Sequence, residues 1–255
     1  PPVASGQALN ANAAGTVRLE LFMPSSFPSG LPVPMVAMMM DLQNRRVNFN
    51  GQLKGEHSIA MKRGVGSGLL DQVESEKIVL NAGSLYADKT ITIGNAKWQA
   101  VQGPVTKSTT WNEGSRIHVT SNLTVAKSAT LIIKQGCVIK LAPKTEVTVL
   151  GKLIVEGTKE TPVVFCPETP DAPWGGITLK GSAASAEASW AFVTGSGGNS
   201  WWFVANNVPG THRNEQAAFF LGEGAKGAFA DCFFCLLYTS DAADEGLGVD
   251  LGGRR

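Results

Sequence analysis

The stretches NLTVAKSATLIIKQGCVIKL (122–141) and EVTVLGKLIVEGTKETPVVF (146–165) decide the fold, because the second repeats the pattern of the first. Each unit consists of short apolar strands and is too small to bury its own apolar side, so it must stack on a copy of itself. Stacked β-coils form a solenoid with parallel sheets and a dry interior. The aligned pairs are Leu123 with Val147, Leu131 with Leu153 and Ile139 with Val163, at steps of 24, 22 and 24 residues.

Alternation along these strands predicts which side chains line the interior. The predicted outward residues are Thr124, Thr148, Thr178 and Lys180. At a step of 24, Cys137 stacks over Thr161 and not over Cys166, so a disulfide between the two cysteines is not expected. The predicted inward residues are Ile117, Val119, Leu123, Val125, Leu131, Ile133, Val147, Val149, Leu153 and Val155.

The rest of the chain is divided by composition. Residues 1–15 are small and polar and are interpreted as a linker. Residues 16–102 contain short strand-like runs separated by turn residues, which is typical of a β-sandwich-like domain. Residues 103–234 are assigned to a parallel β-helix that is cut short. The predicted fold class is therefore all-β.

Charge and hydropathy exclude several functions. The net charge is +1, which gives no electrostatic basis for binding nucleic acid or an anionic membrane. The strongest apolar run, VPMVAMMMDL (33–42), is too short to span a bilayer. No signal peptide opens the sequence.

The run from IHVTSNLTVAKSATLIIKQG through GKLIVEGTKETPVVF to WGGITLKG, residues 117–181, resembles secreted bacterial right-handed parallel β-helix proteins. The resemblance implies a secreted or cell-surface protein with a structural or adhesive role. Polysaccharide, another cell-surface component and further domains of the same chain are the implied partners. The alternative is a polysaccharide lyase or glycoside hydrolase whose active coils lie beyond this sequence.

The final stretch, residues 235–255, follows neither strand alternation nor a helical pattern. CLLYTSDAADE resembles the peptide obtained when sequencing-adapter DNA is translated at the end of an assembled read. We therefore expect this tail not to be native and the chain to be a metagenomic fragment. The C-x-x-C spacing of Cys232 and Cys235 then loses its meaning as a redox or metal motif.

Catalytic acids of β-helix enzymes should recur one coil apart on the outer side, because glycosidases need two carboxyl groups about 5–10 Å apart. A step of 24 pairs Glu146 with Asn122 and Glu168 with Lys144, so no acidic ladder results. We therefore predict no catalytic, metal or cofactor residues, and whether the whole protein is an enzyme stays open. His57 and His118 are interpreted as structural.

Two short stretches provide weaker ligand-contact candidates. Trp201 and Trp202 could stack on sugar rings, or they could pack in the core or form a domain-contact patch. The THRNEQ stretch brings together the ligand-contact candidates His212, Arg213 and Glu215. It could be a catalytic or metal-binding loop, or a solvated loop between coils.

Overall fold

The computed structural model describes residues 16–71, 73–199, 202, 216–235 and 237, and the elements bounded there are β-strands. The all-β class is therefore confirmed. The chain divides into two compact units, Pro1–Gly94 and Asn95–Arg255, whereas the sequence analysis places the division at residue 102. The predicted linker at residues 1–15 and all of the predicted tail except Cys235 and Leu237 lie outside the described residues.

The first unit is built from three small sheets. The first has the order β1-β3-β6 and is antiparallel, the second has the order β2-β8-β7, and β4 and β5 form an antiparallel pair. The central strand β3 is buried along most of its length, as its run of Val, Met and Ala predicts. The strands are β1 (Val17–Phe22), β2 (Ser26–Pro28), β3 (Val33–Asp41), β4 (Gly51–Leu53), β5 (Ile59–Met61), β6 (Val65–Leu70), β7 (Glu76–Ala82) and β8 (Leu85–Gly94).

The second unit is a parallel β-helix. Its strands are β9 (Gln99–Val105), β10 (Thr109–Trp111), β11 (Arg116–Val125), β12 (Thr130–Lys134), β13 (Val138–Leu141), β14 (Val147–Val149), β15 (Lys152–Glu156), β16 (Val163–Pro167), β17 (Ile177–Leu179), β18 (Ser185–Ser189), β19 (Ala191–Val193), β20 (Phe219–Leu221), β21 (Lys226–Ala230) and β22 (Phe233–Phe234). Each strand of one coil pairs in parallel with a strand of the next coil, and the paired strands form three faces.

Face A consists of the first part of β11 followed by β13, β16, β19 and β22. Face B consists of the second part of β11 followed by β14, β17 and β20. Face C consists of β10, β12, β15, β18 and β21. Strand β9 pairs with both parts of β11 and opens the stack.

The predicted interior is confirmed. All ten residues assigned to it are at most 4% exposed and belong to one apolar cluster. The predicted registers Leu123 with Val147 and Leu131 with Leu153 are those of the structure. Period-two alternation was sufficient here because the strands are short and regular and one side of each is fully dry.

The predicted register of Ile139 is wrong, since Ile139 pairs with Phe165 and not with Val163. The turn between faces C and A explains the shift. From Lys134 to Val138 the first coil takes four residues, whereas the second takes eight between their partners Glu156 and Val164. The longer turn is closed by a 2.7 Å hydrogen bond between the hydroxyl groups of Thr158 and Thr161. The step on face A therefore becomes 26.

The same shift moves the predicted neighbour of Cys137. Because Val138 pairs with Val164, Cys137 lies beside Val163 rather than Thr161. Cys137 and Cys166 are both buried free thiols.

Thr178 is buried, whereas the other residues predicted to face outward are at least partly exposed. Thr124 and Thr148 are half-exposed and Lys180 is exposed, but Thr178 is only 1% exposed. The Trp202 indole N–H donates to the Thr178 hydroxyl over 3.2 Å. Thr178 therefore lies outside the dry interior, as predicted, and is covered from the outer side by Trp202.

The later coils are longer. From Leu153 to its partner Ala186 the step is 33, and from Ile177 to Phe219 it is 42. The largest addition lies between β19 and β20, residues 194–218, and we call it the insertion. Among the described residues no helix has the length and apolar character needed to cross a membrane.

Candidate functional site on the outer side of face A

Three chemically active side chains follow one another across the strands of face A. His118 of β11 pairs with Lys140 of β13, and Lys140 pairs with Cys166 of β16. Their chain neighbours Ile117 and Ile139 are buried in the interior, so alternation directs this row to the outer side. Adjacent strands lie about 4.8 Å apart, so the row brings the three side chains within roughly 10 Å.

Glu168 joins this row from the residue after β16. Its backbone N–H donates to the Leu141 carbonyl over 2.9 Å, which holds it beside β13. Its Oε1 lies 3.1 Å from Nε2 of His118, with 33% and 20% of the two side chains exposed. The two atoms are at hydrogen-bond distance but not at a hydrogen-bond angle, and Nε2 has no other partner. The contact is therefore an ion pair that forms when the imidazole is protonated.

Trp98, which precedes β9, completes the group. The Lys140 ammonium lies 4.4 Å from the centroid of the Trp98 ring, and both side chains are half-buried. A cation held over an indole face is stabilised by about 0.5–2 kcal/mol, depending on its exposure. The ring therefore restricts Lys140 and holds its positive charge at a defined point. We call Trp98, His118, Lys140 and Glu168 the flank cluster.

Cys166 lies at the end of the row but is not a nucleophile. Burial raises the pKa of its thiol to about 12, and the nearby Lys140 ammonium only partly opposes that effect. A thiol with this pKa stays protonated at neutral pH, and the thiolate is the reactive form.

A second polar group lies beside face B and connects to the insertion. The Glu146 backbone N–H donates to Oδ1 of Asn122 over 2.9 Å, and its Oε1 accepts from the Asn199 amide over 2.5 Å. The Asn199 backbone N–H donates to Oε1 of Gln216 over 3.1 Å. Gln216 is 3% exposed. These bonds fix both described ends of the insertion to the coil, which is a structural role.

The residues proposed from sequence as ligand contacts lie in or near the insertion. Trp202 is 3% exposed, and its ring meets Phe220 edge-on with centroids 4.9 Å apart. This placement agrees with the packing alternative. Trp201, His212, Arg213 and Glu215 lie outside the described residues, so their assignment stays a prediction.

The flank cluster could not be predicted from sequence with a step of 24 on face A. A step of 24 pairs Glu168 with Lys144, whereas the actual steps on face A, 22 and then 26, align His118, Lys140 and Cys166. The extended turn at residues 157–162 was the signal that could have revealed the change. Among the described residues, no group of three or more His, Cys, Asp or Glu side chains could hold a metal ion.

Comparison with known proteins finds a match over the part of the chain that carries most of this cluster. Residues 103–199 match the family model of a pectate-lyase like beta helix domain, a range that includes three of the four flank-cluster residues. Over that range the chain is similar to this family, in agreement with its parallel coils. No curated protein and no solved structure matches the chain.

Proposed function

We propose that this chain is part of a secreted or cell-surface bacterial protein whose β-helix holds polysaccharide against the outer side of face A. The role is structural or adhesive, and further domains of the full-length protein act with it. The observation that carries the proposal is the flank cluster, an aromatic ring, a cation and a His–Glu pair on one outer flank of the coil.

Three members of the cluster, Trp98, Lys140 and Glu168, have properties that suit a sugar chain. The half-buried ring of Trp98 offers apolar surface for a pyranose ring. The ammonium of Lys140 and the carboxylate of Glu168 supply donors and acceptors for hydroxyl groups. Because the side chains stand on consecutive strands of a rigid stack, they are held in place before a ligand arrives, which lowers the entropic cost of binding.

We expect Lys140→Gln or Trp98→Ala to weaken polysaccharide binding by about 5- to 30-fold, because a buried polar or aromatic contact is worth roughly 1–2 kcal/mol. Lys180→Gln is the matched control, since it removes the same charge from an exposed position beside face B. Calorimetric titration with pectin, alginate, xylan and chondroitin measures the effect. Equal binding by all three variants would contradict the proposal.

An enzymatic function is the second candidate, because the His118–Glu168 contact resembles an acid–base pair. A glycosidase, however, requires two carboxyl groups on either side of the bond, and Glu168 is the only carboxylate in the described flank cluster. The binding function is therefore preferred.

We expect the chain to release no unsaturated product and no new reducing ends from these four polysaccharides. Absorbance of unsaturated uronides and a reducing-sugar assay would measure both reactions. Turnover that is abolished by His118→Ala or Glu168→Ala, but not by Lys180→Gln, would instead establish a lyase or hydrolase.

A further inference from the structure

Two hairpin tips of the first unit lie side by side and carry most of its arginines. The first tip, residues 41–46, closes after β3, where the Asp41 N–H donates to the Arg45 carbonyl over 2.9 Å. The second tip, residues 62–65, connects β5 to β6. The Met39 N–H donates to the Gly64 carbonyl over 2.9 Å, which joins β3, next to the first tip, to the second tip.

A side chain of the first tip lies against the backbone of the second tip. Cγ of Arg46 lies 3.2 Å from the position that a Cβ on Gly64 would take, so the stem of Arg46 crosses the backbone next to Arg63. Both arginines are exposed, and neither has an acidic partner among the described residues. The stem of Arg46 thus lies beside the backbone of the second tip, and the side chains of Arg46 and Arg63 are both exposed to solvent.

Charge is distributed unevenly along this unit. Strand β6 runs away from the tips to Leu70, so Asp71 lies at the end of the unit opposite the tips, which we call the far end. The turn between β4 and β5 places Glu56 at the far end as well, and the end that carries the tips is the near end. At the near end, cations exceed acids by three, although the net charge of the whole chain is +1. The near end holds Arg18, Arg45, Arg46, Lys62 and Arg63 against Glu20 and Asp41.

The amide side chains around the tips also present donors. Oδ1 of Asn44 accepts from the Arg18 guanidinium, and Oδ1 of Asn50 accepts from the Arg63 backbone N–H over 2.8 Å. In both residues the internal bond uses the oxygen, so the NH₂ group of each exposed side chain remains available as a donor. The near end therefore offers both guanidinium and neutral amide donors.

We propose that these two tips form a docking surface for an acidic polysaccharide that carries carboxylate or sulfate groups. Arginine binds such planar or tetrahedral anions through paired N–H donors, and the amide groups suit the hydroxyl and ether oxygens between them. A lipid bilayer fits less well, because Leu42 is the large apolar side chain exposed on these tips, and one such residue gives little insertion. The inference does not depend on the flank cluster, which belongs to the other unit.

The test compares Arg46→Gln/Arg63→Gln with Lys54→Gln/Lys89→Gln, which removes the same charge from elsewhere in the first unit. The probes are chondroitin sulfate, alginate, neutral dextran and vesicles of phosphatidylcholine with phosphatidylglycerol. We expect the unmodified chain to bind the two acidic glycans with an affinity that falls as salt rises. The arginine double variant should bind at least tenfold more weakly, and the lysine double variant within about twofold of the unmodified chain.

Three outcomes would overturn the inference: equal binding of dextran, tighter binding to vesicles than to soluble glycan, or an equal loss in both double variants. Circular dichroism of each variant checks that the unit remains folded. The Lys140→Gln variant separates this site from the flank cluster, because it should retain the arginine-dependent binding. If Lys140→Gln left polysaccharide binding unchanged while the arginine double variant weakened it, the proposed function would be contradicted and this docking surface would remain supported.

Discussion

Replacement of Val149 by aspartate should lower the free energy of unfolding of the β-helix by several kcal/mol. Val149 is 0% exposed and lies between Val125 and Leu179 in the cross-strand row of face B. A carboxylate at this position would have no partner in an apolar interior. Burying it costs free energy whether it stays charged or takes up a proton. Urea denaturation followed by circular dichroism measures the loss.

Thr148→Asp is the control for this change, because Thr148 neighbours Val149 in the chain but is half-exposed on the outer side. The same substitution there should change stability by no more than about 1 kcal/mol. If both variants lost stability equally, the inward and outward assignment of face B would be wrong.

The interior of the coils could be predicted from sequence because it depends on one local rule. Alternation assigned residues such as Leu123 and Val155 to the core without any knowledge of how the coils stack. Each strand has few residues and one dry side, so a slip by one residue would expose every apolar side chain. Local pattern and global structure therefore had to agree.

Contacts between coils depend on turn lengths, and the turns of this chain differ in length from one coil to the next. The cluster of His118, Lys140 and Glu168 spans three strands and requires the sum of two turns to be correct. An error of two residues at Ile139 was enough to pair Glu168 with Lys144 and to conceal its approach to His118. Turns tolerate insertions because they lie outside the ladder of strand hydrogen bonds, so a single repeat length does not predict them.

The charge cluster on the two hairpin tips could not be predicted from sequence for a different reason. Net charge is a sum over the chain, and a value of +1 concealed a local excess of three positive charges. Arg46 and Arg63 are 17 residues apart and become neighbours through the pairing of β3 with β6. Charge clusters made by sheet topology become visible only when the register is known.

Loss of the Trp174 side chain should have the second large effect on stability, about 3–5 kcal/mol for Trp174→Ala. Trp174 is 0% exposed and belongs to the apolar interior cluster. Its indole N–H donates to the Thr194 carbonyl over 2.8 Å, and its own carbonyl accepts from the Gly198 N–H over 2.7 Å. The residue therefore fills the core and also connects the turn before β17 to the start of the insertion.

Two variants separate these contributions. Trp174→Phe keeps part of the ring volume but leaves the Thr194 carbonyl without its donor, so it should cost less than the alanine change, about 1–3 kcal/mol. Trp98→Ala removes the same side chain from the half-buried flank and should cost less still, while it weakens polysaccharide binding. Amide hydrogen exchange should show lost protection at Gly197 and Gly198 in Trp174→Ala, because their N–H groups bond to Gly175 and Trp174. Equal destabilisation by Trp98→Ala and Trp174→Ala would mean that the indole of Trp98 is a core residue, and the flank cluster would then lose its aromatic contact surface.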